Sequence, residues 1–152
     1  MKPFPALLLL VAALVLFAVS SAHAAELEWN QQRVAALAQD LIEPLEALRA
    51  DLESRPPVPE KEEAHAAVVN DVERLRSRAR ELAQRLASGA GRDQTVALFR
   101  EVEALQGQAT QHSLVYPAPF DMHVYIDRAR GTIIQLTRYY GASPDSDAGL
   151  HR

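Results

Sequence analysis

Four times along this chain, apolar residues recur at steps of three and four between strong helix breakers, a spacing that keeps one face of a helix apolar. In the first segment Val34, Leu37, Leu41, Leu45, Leu48 and Leu52 form the stripe. Its doubled step of four falls beside Pro44, which has no N–H for the carbonyl of Asp40, so a kink is expected there. Pro56-Pro57 ends the segment. In the second, the stripe is Val68, Val72, Leu75, Ala79, Leu82 and Leu86, opened by Pro59 with acidic Glu60, Glu62 and Glu63 and closed by Ser88-Gly89. The third carries Leu98, Val102, Leu105, Ala109 and then His112, after an expected N-cap at Asp93. The fourth carries Met122, Ile126, Ala129, Ile133, Leu136 and Tyr140 between Pro119 and Gly141.

No strand pattern competes, and short connections favour antiparallel neighbours. The expected fold is all-α, an up-down-up-down antiparallel four-helix bundle over residues 25–141. Residues 142–152 are Ser, Asp, Gly and Pro with little to bury, and are expected to form a disordered tail.

Residues 1–24 have the layout of a cleavable signal peptide. Lys2 precedes an apolar run from Ala6 to Val19, and Ala22-His23-Ala24 places small residues at the cleavage site. As a helix that run would be about 21 Å long, short of the ~30 Å hydrocarbon core. Sec-type export is therefore expected, with cleavage after Ala24, a periplasmic or secreted location and no stable membrane insertion afterwards.

Lys2 leaves with the signal, so the remaining chain holds 15 basic against 20 acidic residues. That acidity argues against a nucleic-acid partner, which would demand a basic surface. The chain has no cysteine, which excludes disulfides, thiolate metal sites, iron–sulfur clusters, a catalytic thiol, c-type haem and a lipoprotein anchor.

In an up-down-up-down bundle the start of helix 2, the end of helix 3 and the start of helix 4 meet at one end. His65, His112 and His123 hold those places, with Asp121, Glu62 and Glu63 nearby and His112 expected to point toward the axis. Imidazole and carboxylate suit a divalent transition metal, which makes His65, His112, His123 and Asp121 the candidate metal ligands. Glu62 and His65 have the Glu-x-x-His spacing of di-iron bundles, but that motif occurs once here and normally occurs twice. A helix-end histidine also interacts favourably with the macrodipole without any metal.

In helix number, helix length and export, this architecture resembles the b-type and c-prime-type periplasmic cytochromes. The Cys-x-x-Cys-His of covalent haem is absent. His112 and Met122 are the residues that a noncovalent haem would use, although they flank a single loop.

Helix 2 carries Arg74, Arg76, Arg78, Arg80 and Arg85, whereas residues 26 to 63 hold ten acids against four bases. Pairing between these adjacent segments is the simplest account of both. At the opposite end, Trp29, Tyr139 and Tyr140 should approach one another, as a core cap or as a patch for a partner. The connection Ser113 to Phe120 is unusually apolar, and its Tyr116 and Phe120 join those three aromatics as candidate partner contacts. Gly107 and Gly131 interrupt helices at a cost of about 1 kcal/mol each relative to Ala.

No nucleophile elbow, phosphate loop or credible nucleophile–base pair is present. The sequence thus points to a non-enzymatic, exported helical domain without a cofactor, binding or shielding another envelope protein in a scaffold or chaperone-like role. The alternative is a carrier of a metal or noncovalent haem at the histidine end. Pairing into a homodimer is open to any exposed apolar strip.

Overall fold

The computed structural model describes residues 27–141, apart from the side chain of Phe120. The expected signal peptide, residues 1–24, and the expected tail, residues 142–152, lie outside the described residues. Within them every regular element is helical: α1 (Gln31–Asp40), α2 (Ile42–Ser54), α3 (Glu62–Ala87), α4 (Arg92–Ser113) and α5 (His123–Tyr140). Single 3-10 turns, Pro59–Lys61 and Phe120–Met122, lead into α3 and α5.

The first two elements are the halves of the first periodic segment, so the chain builds four helical rods. They part at Leu41, whose own N–H still donates to the Leu37 carbonyl at 3.1 Å. Pro44, in the first turn of the second half, has no N–H for the carbonyl of Asp40, which accounts for a break where the stripe shifts phase.

Helix ends follow local chemistry. Asn30 Oδ1 accepts from the Arg33 N–H at 2.9 Å and caps α1. The C-terminus of α3 closes on Gly89, at φ +91°. The N–H of Ala90 donates to the Arg85 carbonyl at 3.0 Å and that of Gly89 to the Leu86 carbonyl at 3.1 Å, the paired bonds of a Schellman turn. The N-cap of α4 is Gly91 rather than the expected Asp93. Gln94 Oε1 accepts from the Gly91 N–H at 2.9 Å, and Thr95 Oγ1 donates to the Gly91 carbonyl at 2.9 Å. The chain is already helical at Arg92, so Asp93 falls in the first turn, where its charge complements the macrodipole.

The stripes meet in two apolar clusters. The larger joins α1, the rear of α3, the front of α4 and the rear of α5 through Val34, Leu41, Leu82, Phe99, Val102 and Leu136, all fully buried. The smaller joins Leu48, Leu52, Val68, Val72 and Met122 at the other end. Each fully buried Leu or Phe contributes about 1.5–3 kcal/mol relative to exposure. α3 packs against α1, α2 and α4, and α5 against the same three.

Polar ties pin both ends. At the end here called the bottom, Gln31 Nε2 donates to the carbonyls of Leu86 (2.9 Å) and Ala90 (3.0 Å), and Arg92 donates to that of Tyr140 at 3.0 Å. At the top, the His65 ring lies 3.0 Å from the Leu52 carbonyl, and Arg55 pairs with Asp121.

All five arginines on the second rod have partners. Arg80 pairs with Glu46 of α2, Arg76 with Glu73, Arg78 with Glu81 and Glu101, and Arg85 with Glu81, while Arg74 bonds Gln108. Arg49 of α2 reaches Glu73 at 2.9 Å. The basic face is thus matched chiefly by Glu73 and Glu81 of the same helix, with one pair to the first segment through Glu46 and contacts to α4 through Glu101 and Gln108, rather than mainly by the acidic first segment as expected.

Candidate functional site at the top of the helices

The three histidines do lie on the expected elements, but each is engaged separately. His65, in the first turn of α3, is half-buried: its Nε2 contacts the Leu52 carbonyl, and its ring meets Tyr116 edge-on with centroids 5.1 Å apart. His112 does not point down the axis. Its side chain is 51 % exposed and its Nδ1 reaches sideways to Asp71 Oδ2 at 2.5 Å. The α4 stripe fades at half-buried Ala109, one turn before His112, which leaves the last turn turned toward solvent. His123 is exposed at the first position of α5.

Asp121 is exposed and bound to Arg55, whose guanidinium holds its carboxyl below the usual range while the carboxylate raises the arginine. Among the described residues, no group of three or more His, Asp or Glu is placed to hold a metal ion. The structure therefore gathers His65, His112, His123 and Asp121 at one end without uniting them as a ligand set.

Asp71 is the residue that sequence reasoning missed. It is 3 % exposed, the one buried ionisable carboxylate among the described residues. Its signal was available: positions 68, 71, 72 and 75 are neighbours on one helix face, and only Asp71 interrupts Val68, Val72 and Leu75.

The apolar connection divides in two. Tyr116 and Ala118 fold back onto the upper cluster, whereas Leu114 and Val115 face solvent with 73 % and 65 % exposure. Phe120 opens the 3-10 turn, and its side chain lies outside the described residues. Val58, on the neighbouring connection, and Val124, at the start of α5, are also exposed. The Arg55–Asp121 pair ties these two connections together.

The bottom aromatics form a core cap. Tyr140 is buried between Phe99, stacked at 4.4 Å, and Trp29, edge-on at 5.2 Å, with its hydroxyl 2.8 Å from Thr95 Oγ1. Burial pushes the Tyr140 phenol above its ordinary pKa, partly opposed by the Thr95 hydrogen bond. Trp29 and Tyr139 pack half-buried against the same cluster. Tyr140 is thereby a packing residue and offers no face to a partner.

Between the two clusters, where the upper halves of α4 and α5 face each other, lies an apolar cavity of about 90 Å³. Among the described residues no helix is long and apolar enough to cross a membrane. No family model, curated protein or solved structure matches the chain.

Proposed function

We propose that this chain is a non-enzymatic, exported binding domain, an up-down-up-down four-helix bundle that docks another protein of the cell envelope through its top end. The observation that carries this reading is the exposure of four aliphatic side chains at that end: Val58 (55 %), Leu114 (73 %), Val115 (65 %) and Val124 (63 %). Such aliphatic groups held in water gain by being covered, and for Leu114 and Val115, whose connection is anchored by Tyr116 and Ala118, that pre-anchoring lowers the ordering cost of binding. The occupant is a protein surface with a matching apolar groove, in the compartment to which the signal sequence directs the chain. The ties from Gln31 to the end of α3, and from His65 to the end of α2, support the antiparallel order.

The test is a photo-crosslinking residue placed in cells at Leu114, at Val115 and, as control, at exposed Ala104 on the flank of α4. The expected result is one adduct shared by positions 114 and 115, absent at 104 and lost when L114S is combined with crosslinking at 115. Equal labelling at all three positions, or none, overturns the docking surface. Stoichiometric metal or a Soret band in protein isolated from its own compartment would replace this reading with that of a metal or haem carrier.

A further inference from the structure

The cavity between the clusters has an ordered division of chemistry. Its depth is walled by buried Leu45, Leu52, Val72 and Ile133. Its polar lining residues, Gln106, Thr110, Ser113 and Arg130, are the partly or fully exposed ones, so polarity is confined to the rim. Ala109 of α4 and Ala129 of α5 are among its lining residues, and their short side chains fill less of the space than longer apolar ones would.

An apolar cavity of this kind offers water too few partners and stays dry unless an apolar group enters. At the rim, the Thr110 and Ser113 hydroxyls donate back to the carbonyls of Gln106 (2.9 Å) and Thr110 (2.7 Å), which leaves their oxygens as acceptors only. Arg130 and the side chain of Gln106 make no hydrogen bond or ion pair among the described residues. Asp127, one turn earlier on α5, forms no ion pair with Arg130 either. The rim thus holds an unneutralised guanidinium and an amide above a greasy slot, where most other arginines of this surface are already matched.

From this we infer that the cavity is a binding site for a small amphipathic carboxylate, its aliphatic tail between α4 and α5 and its carboxylate at Arg130 with help from the Gln106 amide. Guanidinium matches carboxylate in a two-pronged fork. The volume of about 90 Å³ is smaller than the ~150 Å³ cavity known to admit benzene, which favours a slim alkyl tail over a ring. This site adjoins the loop surface proposed above, since Tyr116 and Ala118, which anchor that connection, also line the cavity, but its ligand enters between α4 and α5 and its test reads Arg130 and Ala109, which the loop surface does not use.

The test is calorimetric titration of the purified protein with hexanoate, hexanol, benzoate and acetate, together with NMR contacts from the hexanoate methyl group. Hexanoate is expected to saturate one site, hexanol to bind about fivefold more weakly for want of the exposed ion pair, and acetate and benzoate to bind less than either. R130Q should reduce hexanoate to the level of hexanol and leave hexanol unchanged. A109L should remove both while keeping the helical circular dichroism. If A109L fails to fold, methyl–methyl contacts of hexanoate with Ala109 and Ala129 in the unaltered protein decide the location. Absence of saturable binding, contacts elsewhere, equal affinity for hexanol and hexanoate, or an R130Q variant that binds as before each overturns the inference.

Discussion

Asp71 Oδ2 accepts a 2.5 Å contact from the half-exposed ring of His112, and this pair joins the front of α3 to the end of α4 across the one point where a carboxylate interrupts the apolar stripe. The buried partner has no substitute, whereas the histidine can turn to water. Removing either side is therefore unequal. H112A should destabilise the protein by about 1–3 kcal/mol, because Asp71 is left buried without its partner. D71L should be close to neutral, since an apolar residue of similar size continues Val68, Val72 and Leu75. Urea denaturation of both single variants and the double variant measures the coupling, and a D71L loss larger than that of H112A contradicts the account.

Tyr140 fastens the bottom end by ring packing more than by its hydroxyl. Y140A should lose about 3–5 kcal/mol through the cavity it leaves beside Phe99 and Trp29, and Y140F only about 1 kcal/mol through the lost bond to Thr95. Thermal unfolding distinguishes the two.

The same burial raises the Tyr140 pKa above its ordinary value of 10.0. The folded state thus favours the neutral phenol: the contribution is complete below the unfolded pKa and is lost as pH rises through the folded one. Alkaline unfolding should begin above pH ~10 and be delayed in Y140F, with one of the four tyrosines ionising late in an absorbance titration. A titration in which all four ionise together counts against it.

At the acid end the sign reverses. Glu73 is held below its ordinary 4.5 chiefly by its hydrogen bond to Arg76, and Glu81 by its bonds to Arg78 and Arg85. These depressed values contribute stability above the unfolded pKa that fades as pH falls through the folded pKa. Stability should decline between about pH 5 and about pH 3, less steeply in E73Q and at high salt, as followed by denaturant midpoints.

Gly107 and Gly131 each sit inside a helix with nothing within 4 Å of where a Cβ would stand, and neither has a positive φ. G107A and G131A should each stabilise the protein by about 0.5–1 kcal/mol, through helix propensity and a less flexible unfolded chain. A drop in melting temperature for either would show that the glycine answers a requirement outside the described residues.

The rods themselves are legible in the sequence, because a stripe such as Val68 to Leu86 can be buried only if its spacing is helical, and because Pro44, Pro56 and Gly89 act on the backbone where they stand. Pairing of the arginines on the second rod with the segment before it holds only for Arg80 with Glu46, because Arg76, Arg78 and Arg85 find acids three or four residues away on their own helix, a nearer partner than any on another rod. The candidate site was legible only to the level of which end it occupies. His65, His112 and His123 were assigned to the top, but their partners depend on side-chain directions that spacing does not specify. His112 illustrates this: its place in the stripe pointed inward, yet the stripe had already faded at Ala109, and an aspartate on another helix drew the ring sideways.

What the sequence by itself determined was therefore local and periodic: where helices run, where they stop and which face each buries. Only the tertiary structure decided which side chains meet, since contacts such as Thr95–Tyr140 and Arg55–Asp121 join residues far apart in the chain. The cavity beneath Arg130 belongs to this second kind, for empty space is a property of several packed helices together and no single stripe encodes it.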